Sequence, residues 1–148
     1  MPELPEVETV KETLKKHILN KKIVDVKVYY ENIISAPKSN EFIKKCIGKK
    51  IIDIKRRGKW LIFDLNDYYL VSHLRMEGKY FIRNKDDEKL KHEHVSFIFS
   101  DNTSLRYNDT RKFGRMYLLE KDKAFSVMPL SELGLATFDE KLTINYLK

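Results

Sequence analysis

The sequence predicts an α+β fold, mainly an antiparallel β-sandwich flanked by an N-terminal helix and a short second helix. Three observations lead there. Val7, Val10, Leu14 and Ile18 recur at spacings of three and four, which lines one side of a helix with apolar groups. After Asn20 the period shortens to two, with Val24, Val26 and Val28 separated by Asp25 and Lys27, the pattern of a strand with one buried face. From Lys59 onward come short aromatic and β-branched runs at near-regular spacing, as sheets packed face to face require.

The first helix is expected from Pro5 to about Leu19. Pro5 suits the first helical position, Glu6 and Glu8 fall in the first turn, and Lys15, Lys16 and His17 fall in the last; all of these complement the helix dipole. Ser39 is expected to cap a second helix over residues 40–47, and Gly48 to close it in the left-handed conformation. Ile51, Ile52 and Ile54 then begin a strand. Further strands are expected at 59–65, 68–74, 79–83, 94–99, 103–107 and 115–120, with turns at Asn66-Asp67 and Asp101-Asn102. The mixed-sign run from Lys85 to His94 reads as a solvated loop. Past Leu130 the pattern weakens, and residues 139–148 have helical flavour without a closing cap.

With 148 residues, 42% of them hydrophobic, the chain can bury one real core, so a single domain is expected. The 29 Lys and Arg against 22 Asp and Glu give a net charge of +7, which favours polyanionic partners. Surface lysine also serves solubility, so charge alone assigns no partner. The longest apolar runs, such as Trp60-Leu61-Ile62-Phe63, fall far short of the ~20 residues of a membrane span. The start has no signal-peptide core, and a soluble, cytoplasmic protein is the expectation. Cys46 is the single cysteine; it permits no intrachain disulfide and no cysteine-built zinc site, and its setting among Phe42, Ile43 and Ile47 fits a small buried apolar residue.

The most informative segment for chemistry is Met1-Pro2-Glu3-Leu4-Pro5-Glu6. Removal of Met1 leaves Pro2 as a secondary amine, which can attack the anomeric carbon of a nucleoside and form an iminium. Glu3, a neighbouring carboxylic acid, can protonate the ring oxygen and open the sugar. Glu6, one turn on, can orient the amine or sit as a buried partner. With Met1 attached, the Pro2 nitrogen is an amide and no nucleophile. The competing reading is that Pro and Glu here only start and cap a helix.

The string Pro2-Glu3-Leu4-Pro5-Glu6-Val7-Glu8-Thr9 resembles the opening of the formamidopyrimidine-DNA glycosylase family (Fpg, also called MutM), in its N-terminal catalytic domain. The resemblance continues through Arg56-Arg57-Gly58-Lys59-Trp60-Leu61, Ser72-His73-Leu74-Arg75-Met76-Glu77-Gly78-Lys79-Tyr80, Lys91-His92-Glu93-His94-Val95 and Leu105-Arg106-Tyr107-Asn108-Asp109-Thr110-Arg111-Lys112-Phe113-Gly114, reaching about Leu135. Leu4 and Val7 favour this branch over the related endonuclease VIII group, whose opening looks more like Pro-Glu-Gly-Pro-Glu. The resemblance implies a base-excision-repair glycosylase and abasic-site lyase for oxidised purines (8-oxoguanine and formamidopyrimidines), working through a Schiff base at the N-terminal proline, with β,δ-elimination.

In site terms the resemblance implies catalytic Pro2, Glu3, Glu6 and Lys59. Lys59, His73 and Arg75 grip phosphates, and His92 contacts phosphate or lesion while His94 goes to the core. His92 and His94, two apart, also resemble half a metal site, but His17 and His73 are the remaining histidines and no metal is expected. Met76, Arg111 and Phe113 match a trio that fills the gap left by an extruded nucleotide, Met and Phe as wedges and Arg toward the orphaned base. Each wedge sits beside charge and a Gly, as on a loop tip. The implied partner is double-stranded DNA with damaged purines or abasic sites, bound by a monomer, with no cofactor in this chain; full-length relatives carry a structural zinc in a C-terminal finger. Residues 1–138 are expected to form the domain, and 139–148 the start of a linker toward a helix-two-turn-helix and zinc-finger region that this chain lacks. Two rival readings are a noncatalytic DNA-binding module, or inactive fragment, and a basic β-domain that binds another protein.

Overall fold

The computed structural model describes residues 4–75 and 77–122, the side chains of residues 4–6 excepted. The expectations for Pro2, Glu3, Met76 and residues 139–148 lie outside them. Helix α1 spans Leu4–Ile18, and strand β1 spans Ile23–Val28. A short 3-10 turn at Glu31–Ile33 leads into β2 (Ile34–Ala36) and helix α2 (Ser39–Cys46). Then follow β3 (Asp53–Arg57), β4 (Trp60–Asp64), β5 (Tyr68–His73), β6 (Lys79–Asn84), β7 (Glu93–Phe99), β8 (Thr103–Asn108) and β9 (Arg115–Glu120).

The strands form two sheets, one in the order β1-β7-β8-β6 and the other β2-β9-β5-β4-β3. Every pairing is antiparallel except that of β2 with β9. The main core takes Ile54, Leu61, Phe63, Leu70 and Leu118 from the five-stranded sheet and Val95, Phe97, Phe99, Leu105 and Tyr107 from the other. This is the sandwich that the alternating strands predict. Helix α1 packs on β3 and β4, and α2 packs on β1 and β2. Val7, Leu14 and Ile18 of α1, and Phe42 and Cys46 of α2, are buried in that core. Burial pushes the Cys46 thiol up to about 12, so it is an inert apolar residue as its setting indicates.

The structure departs from the expected elements in four places, each with a physical cause. Val24 is 43% exposed while Ile23 and Val26 are buried, so the simple alternation fails. Ile23 pairs with Phe99 and Asp25 with Ile98; the extra residue is a β-bulge that turns Val24 outward. Helix α2 begins at Ser39, not after it. The Phe42 N–H donates to the Lys38 carbonyl at 2.8 Å, which makes Lys38 the cap, with no side-chain bond. Strand β3 starts at Asp53 because Ile51 is already used: its N–H donates to Lys21 O and its carbonyl accepts from Asn20 N–H. Strand β2, three residues long and parallel to β9, has too short a pattern to announce itself.

The 85–94 run is only in part a solvated loop. Glu93 and His94 are buried members of β7. The loop before them is tied down by Arg106, whose guanidinium donates to Asn84 O (2.9 Å), Asp87 O (3.0 Å), Glu88 O (2.7 Å), Ser104 Oγ (2.9 Å) and Glu93 Oε1 (3.3 Å). Those five acceptors match the five N–H groups of an arginine. Truncating Arg106 to Ala leaves the Glu93 carboxylate buried without its cation, a loss of about 3–5 kcal/mol. Urea unfolding of Arg106→Ala is therefore expected to show a much lower midpoint, with faster proteolysis at residues 84–90. An unchanged midpoint contradicts the anchoring role.

Candidate nucleic-acid interface

The expected site residues converge on one end of the five-stranded sheet because of its register. Arg57 pairs with Trp60, Trp60 with His73, and His73 with Arg115. Directly opposed residues share a face, so β3, β4, β5 and β9 present one row of side chains. The Trp60 and His73 rings meet edge to face, with centroids 4.7 Å apart. Lys59 stands immediately before Trp60, beside Gly58, whose φ of +61° makes the tight β3–β4 turn. Burial, opposed slightly by Tyr69, lowers the Arg57 guanidinium to about 9.

His73 is set up as a neutral donor. The Arg75 backbone N–H donates to its Nδ1 at 3.0 Å, which leaves the ring proton on Nε2. Burial, with the positive charges of Arg75 and Lys59, lowers its pKa to about 4. Arg75 itself is exposed and has a φ of +57°, a conformation seldom taken by a non-glycine residue.

The second loop of the site, residues 109–114, is built around a buried carboxylate. Asp109 Oδ1 accepts from the N–H groups of Arg111 and Lys112, both at 3.1 Å. Its Oδ2 accepts from Gly114 N–H and from the Tyr107 hydroxyl, both at 2.8 Å. The backbone of Asp109 is fixed too: its N–H donates to His92 O at 3.0 Å, and His94 Nε2 lies 2.7 Å from its carbonyl. His94 thus belongs to the core as expected. The pair does not share the face of one regular strand, since His92 precedes β7 and a bulge separates Glu93 from Val95. Among the described residues, no three His, Cys, Asp or Glu cluster to hold a metal.

From this frame Arg111, Lys112 and Phe113 extend into solvent, with Phe113 50% exposed. Among the described residues Phe113 is the most exposed of the large apolar side chains, which agrees with the loop-tip expectation. The Lys112 ammonium lies 4.8 Å from the centre of the Tyr30 ring. Arg115 Nη1 donates to Lys112 O (2.9 Å) and Gly114 O (2.7 Å), closing the loop onto β9.

Helix α1 is bound to the same end. Arg56 Nε donates to Glu8 Oε1 at 2.7 Å, and its Nη1 to Gly58 O at 2.9 Å; Lys11 Nζ lies 2.9 Å from Glu8 Oε2. Hydrogen bonds from Arg56 and Lys11 hold the Glu8 carboxyl down at about 2. The first turns of α1 and the turn that carries Lys59 are therefore one unit. Of Glu6 only the backbone, within α1, is described.

Lys59, His73, Arg75, Arg111 and Phe113 are thus brought together by strand register and two loops. The sequence reading assigns no site role to the supporting residues Glu8, Arg56, Trp60, Tyr107, Asp109 and Arg115. Asp109 is legible there as a turn residue, but its burial is not.

Fold and site define a class: an α+β sandwich domain with a basic, loop-built binding end. The model of the formamidopyrimidine-DNA glycosylase N-terminal domain matches residues 1–116, and the chain belongs to that family. It is 52% identical over 149 residues to the formamidopyrimidine-DNA glycosylase of Shouchella clausii, covering 100% of this chain and 54% of the relative. It is 53% identical over 135 residues to that of Ligilactobacillus salivarius, covering 90% of this chain and 49% of the relative. Crystal structures of Lactococcus lactis Fpg in complex with Fapy-dG-containing DNA and with abasic-site DNA superpose with a TM-score of 0.80 and 41% identity. Each covers 84% of this chain and 46% of that one. The chain spans about half the length of the curated relatives it matches.

A neutral His73 has a measurable consequence. The unfolded imidazole titrates near 6.5 and the folded one near 4, so between those values the unfolded chain binds more protons. Stability is full above about pH 6.5 and falls as pH drops toward 4. NMR titration is expected to place the His73 midpoint well below 6.5; a midpoint at or above 6.5 refutes the buried, N–H-capped imidazole. For the partly exposed Glu8–Arg56 pair, Glu8→Gln is expected to cost less than about 1 kcal/mol in thermal melts, and less still in high salt. A loss above that range, or one that persists undiminished in high salt, contradicts the reading of a solvent-screened ion pair.

Proposed function

We propose that this chain is the lesion-handling half of a base-excision-repair DNA glycosylase with abasic-lyase activity, acting on oxidised purines in double-stranded DNA. The observation that carries the reading is the convergence of Lys59, His73, Arg75, Arg111 and an exposed Phe113 on one end of one sheet. Cations and a fixed imidazole N–H suit phosphates, and an apolar ring on a held loop suits the space left by an extruded base. The likeness to Lactococcus lactis Fpg, solved with Fapy-dG and abasic-site DNA, supports damaged DNA as the partner.

In the proposed chemistry, loss of Met1 frees the Pro2 amine. Its lone pair forms a bond to C1′ of the flipped nucleotide, and the glycosidic bond breaks with its electron pair leaving on the base, which takes up the proton that the amine nitrogen gives up. Glu3, as the acid, protonates the ring oxygen; the C1′–O bond opens as the nitrogen completes an iminium. Glu6 orients the amine or serves as a buried partner, and Lys59 joins the catalytic group through its place at the scissile phosphates. Loss of a proton from C2′ then expels the 3′ phosphate, and a second elimination expels the 5′ phosphate. These are proton and bond transfers, and they call for no redox cofactor.

Lys59 and Arg75 supply charge to phosphates, the His73 Nε2–H a neutral donor, and His92 a phosphate or lesion contact. Arg111 reaches the orphaned base while Met76 and Phe113 wedge the stack. We place the domain within residues 1–138, acting as a monomer in the cytoplasm where the DNA is. Among the described residues no helix is long and apolar enough to cross a membrane.

The test is covalent trapping: Met1-free chain, abasic-site duplex and borohydride, beside Pro2→Gly and a preparation that retains Met1. A reduced crosslink at Pro2, strongly diminished in Pro2→Gly and absent with Met1 retained, is the expected result. Salt-sensitive binding without a crosslink favours a noncatalytic DNA-binding module instead.

A further inference from the structure

Two loops at the site end, the first described at Leu74 and Gly78 and the second at 109–114, leave the sandwich from different strands yet close on one buried hydroxyl. Tyr107 is fully buried, its ring 5.3 Å from that of Tyr80, and its hydroxyl donates to Asp109 Oδ2. A Cβ placed on Gly78 would stand 2.6 Å from the Tyr107 oxygen, and one placed on Gly114 would overlap it. Glycine at both positions lets both backbones pack on the same atom. Gly114 also abuts the His73 carbonyl, which a Cβ would approach to 2.9 Å, so the strand end carrying His73 is part of the cluster.

Asp109 completes the arrangement. It is wholly buried, and its two oxygens take three loop amides, those of Arg111, Lys112 and Gly114, beside the Tyr107 hydroxyl. A buried carboxylate met by several N–H donors is strongly held, and removal of one donor leaves an acceptor that water does not reach. The bond to Lys112 N–H also fixes a non-glycine residue at a φ of +60°, a conformation that persists where its surroundings hold it. The chain between these anchors bears Arg111 and Phe113.

We propose that the buried Tyr107–Asp109 pair is a positioning device: it sets the spacing of the two loops, so that Arg111 and Phe113 enter a duplex on a preformed frame. The ordering that such an insertion requires is then met on folding rather than on binding. The proposal rests on the gap-filling reading of Arg111 and Phe113. Neither Tyr107 nor Asp109, being shut off from solvent, touches DNA; they act through the loops.

The test uses the whole 148-residue chain. Amide exchange in the unmodified protein is expected to show Arg111, Lys112 and Gly114 protected although they lie in a loop; rapid exchange at all three overturns the proposal. Affinity is then measured for a duplex with a tetrahydrofuran abasic analogue and for the same duplex undamaged. Asp109→Asn keeps the shape but sets amide donors against N–H donors, and Tyr107→Phe keeps the ring while removing the hydroxyl. Each folded variant is expected to lower the preference for the abasic duplex roughly tenfold while affinity for undamaged duplex stays the same. A merely structural loss lowers both affinities together, and that result, or an unchanged preference, overturns the proposal. Arg111→Ala and Phe113→Ala run alongside: if these leave the preference intact, the gap-filling reading fails, whereas the exchange data still decide whether the pair holds the loops.

Discussion

The Tyr107 hydroxyl and the Asp109 carboxylate meet at 2.8 Å inside the protein, and the end of the domain that holds the candidate site is organised around that contact. A polar pair in the interior is stable only with every partner in place. Here the partners are backbone groups of the loop that leads into β9. The end of β8, the start of β9 and the end of β5 are thereby drawn to one point. Register then does the rest, because once β5 and β9 are aligned, His73 faces Arg115 and Trp60 on its two sides.

Charge at this end is managed by geometry. Lys59, Arg75 and Arg111 share one end of a chain that already carries +7, and like charges raise the cost of adding another. Burial, with the charges of Arg75 and Lys59, keeps His73 neutral, so it contributes a directional N–H rather than a further cation. Glu8 moves the other way: its carboxyl, held ionised by Arg56 and Lys11, links helix α1 to the turn that carries Lys59. One acid thus serves as a strap between two parts of the site.

Much of the fold is legible in the sequence because period-two apolar patterns and turn residues are local signals. Strand β9 falls where its pattern places it, and Asn66 and Asn102 lie in the turns expected there, where the structure puts both in the left-handed region, at φ +80° and +71°. Three of the misses share a cause. The bulge at Val24, the exit of Ile51 toward Lys21 and the short parallel β2 are each decided by a partner distant in sequence. No window along the chain contains that partner.

The same division holds for the site. The sequence by itself determined which residues are available: the family's motifs, the exposed-wedge pattern around Phe113 and the basic neighbours Lys59, Arg75 and Arg111, because residue type and nearest neighbours are properties of the string. Only the tertiary structure decided that these groups stand at one sheet end, that His73 is a neutral donor, and that a buried carboxylate holds the loop. Burial, register and hydrogen-bond partners are relations between segments, set when two sheets and two helices close on a common core.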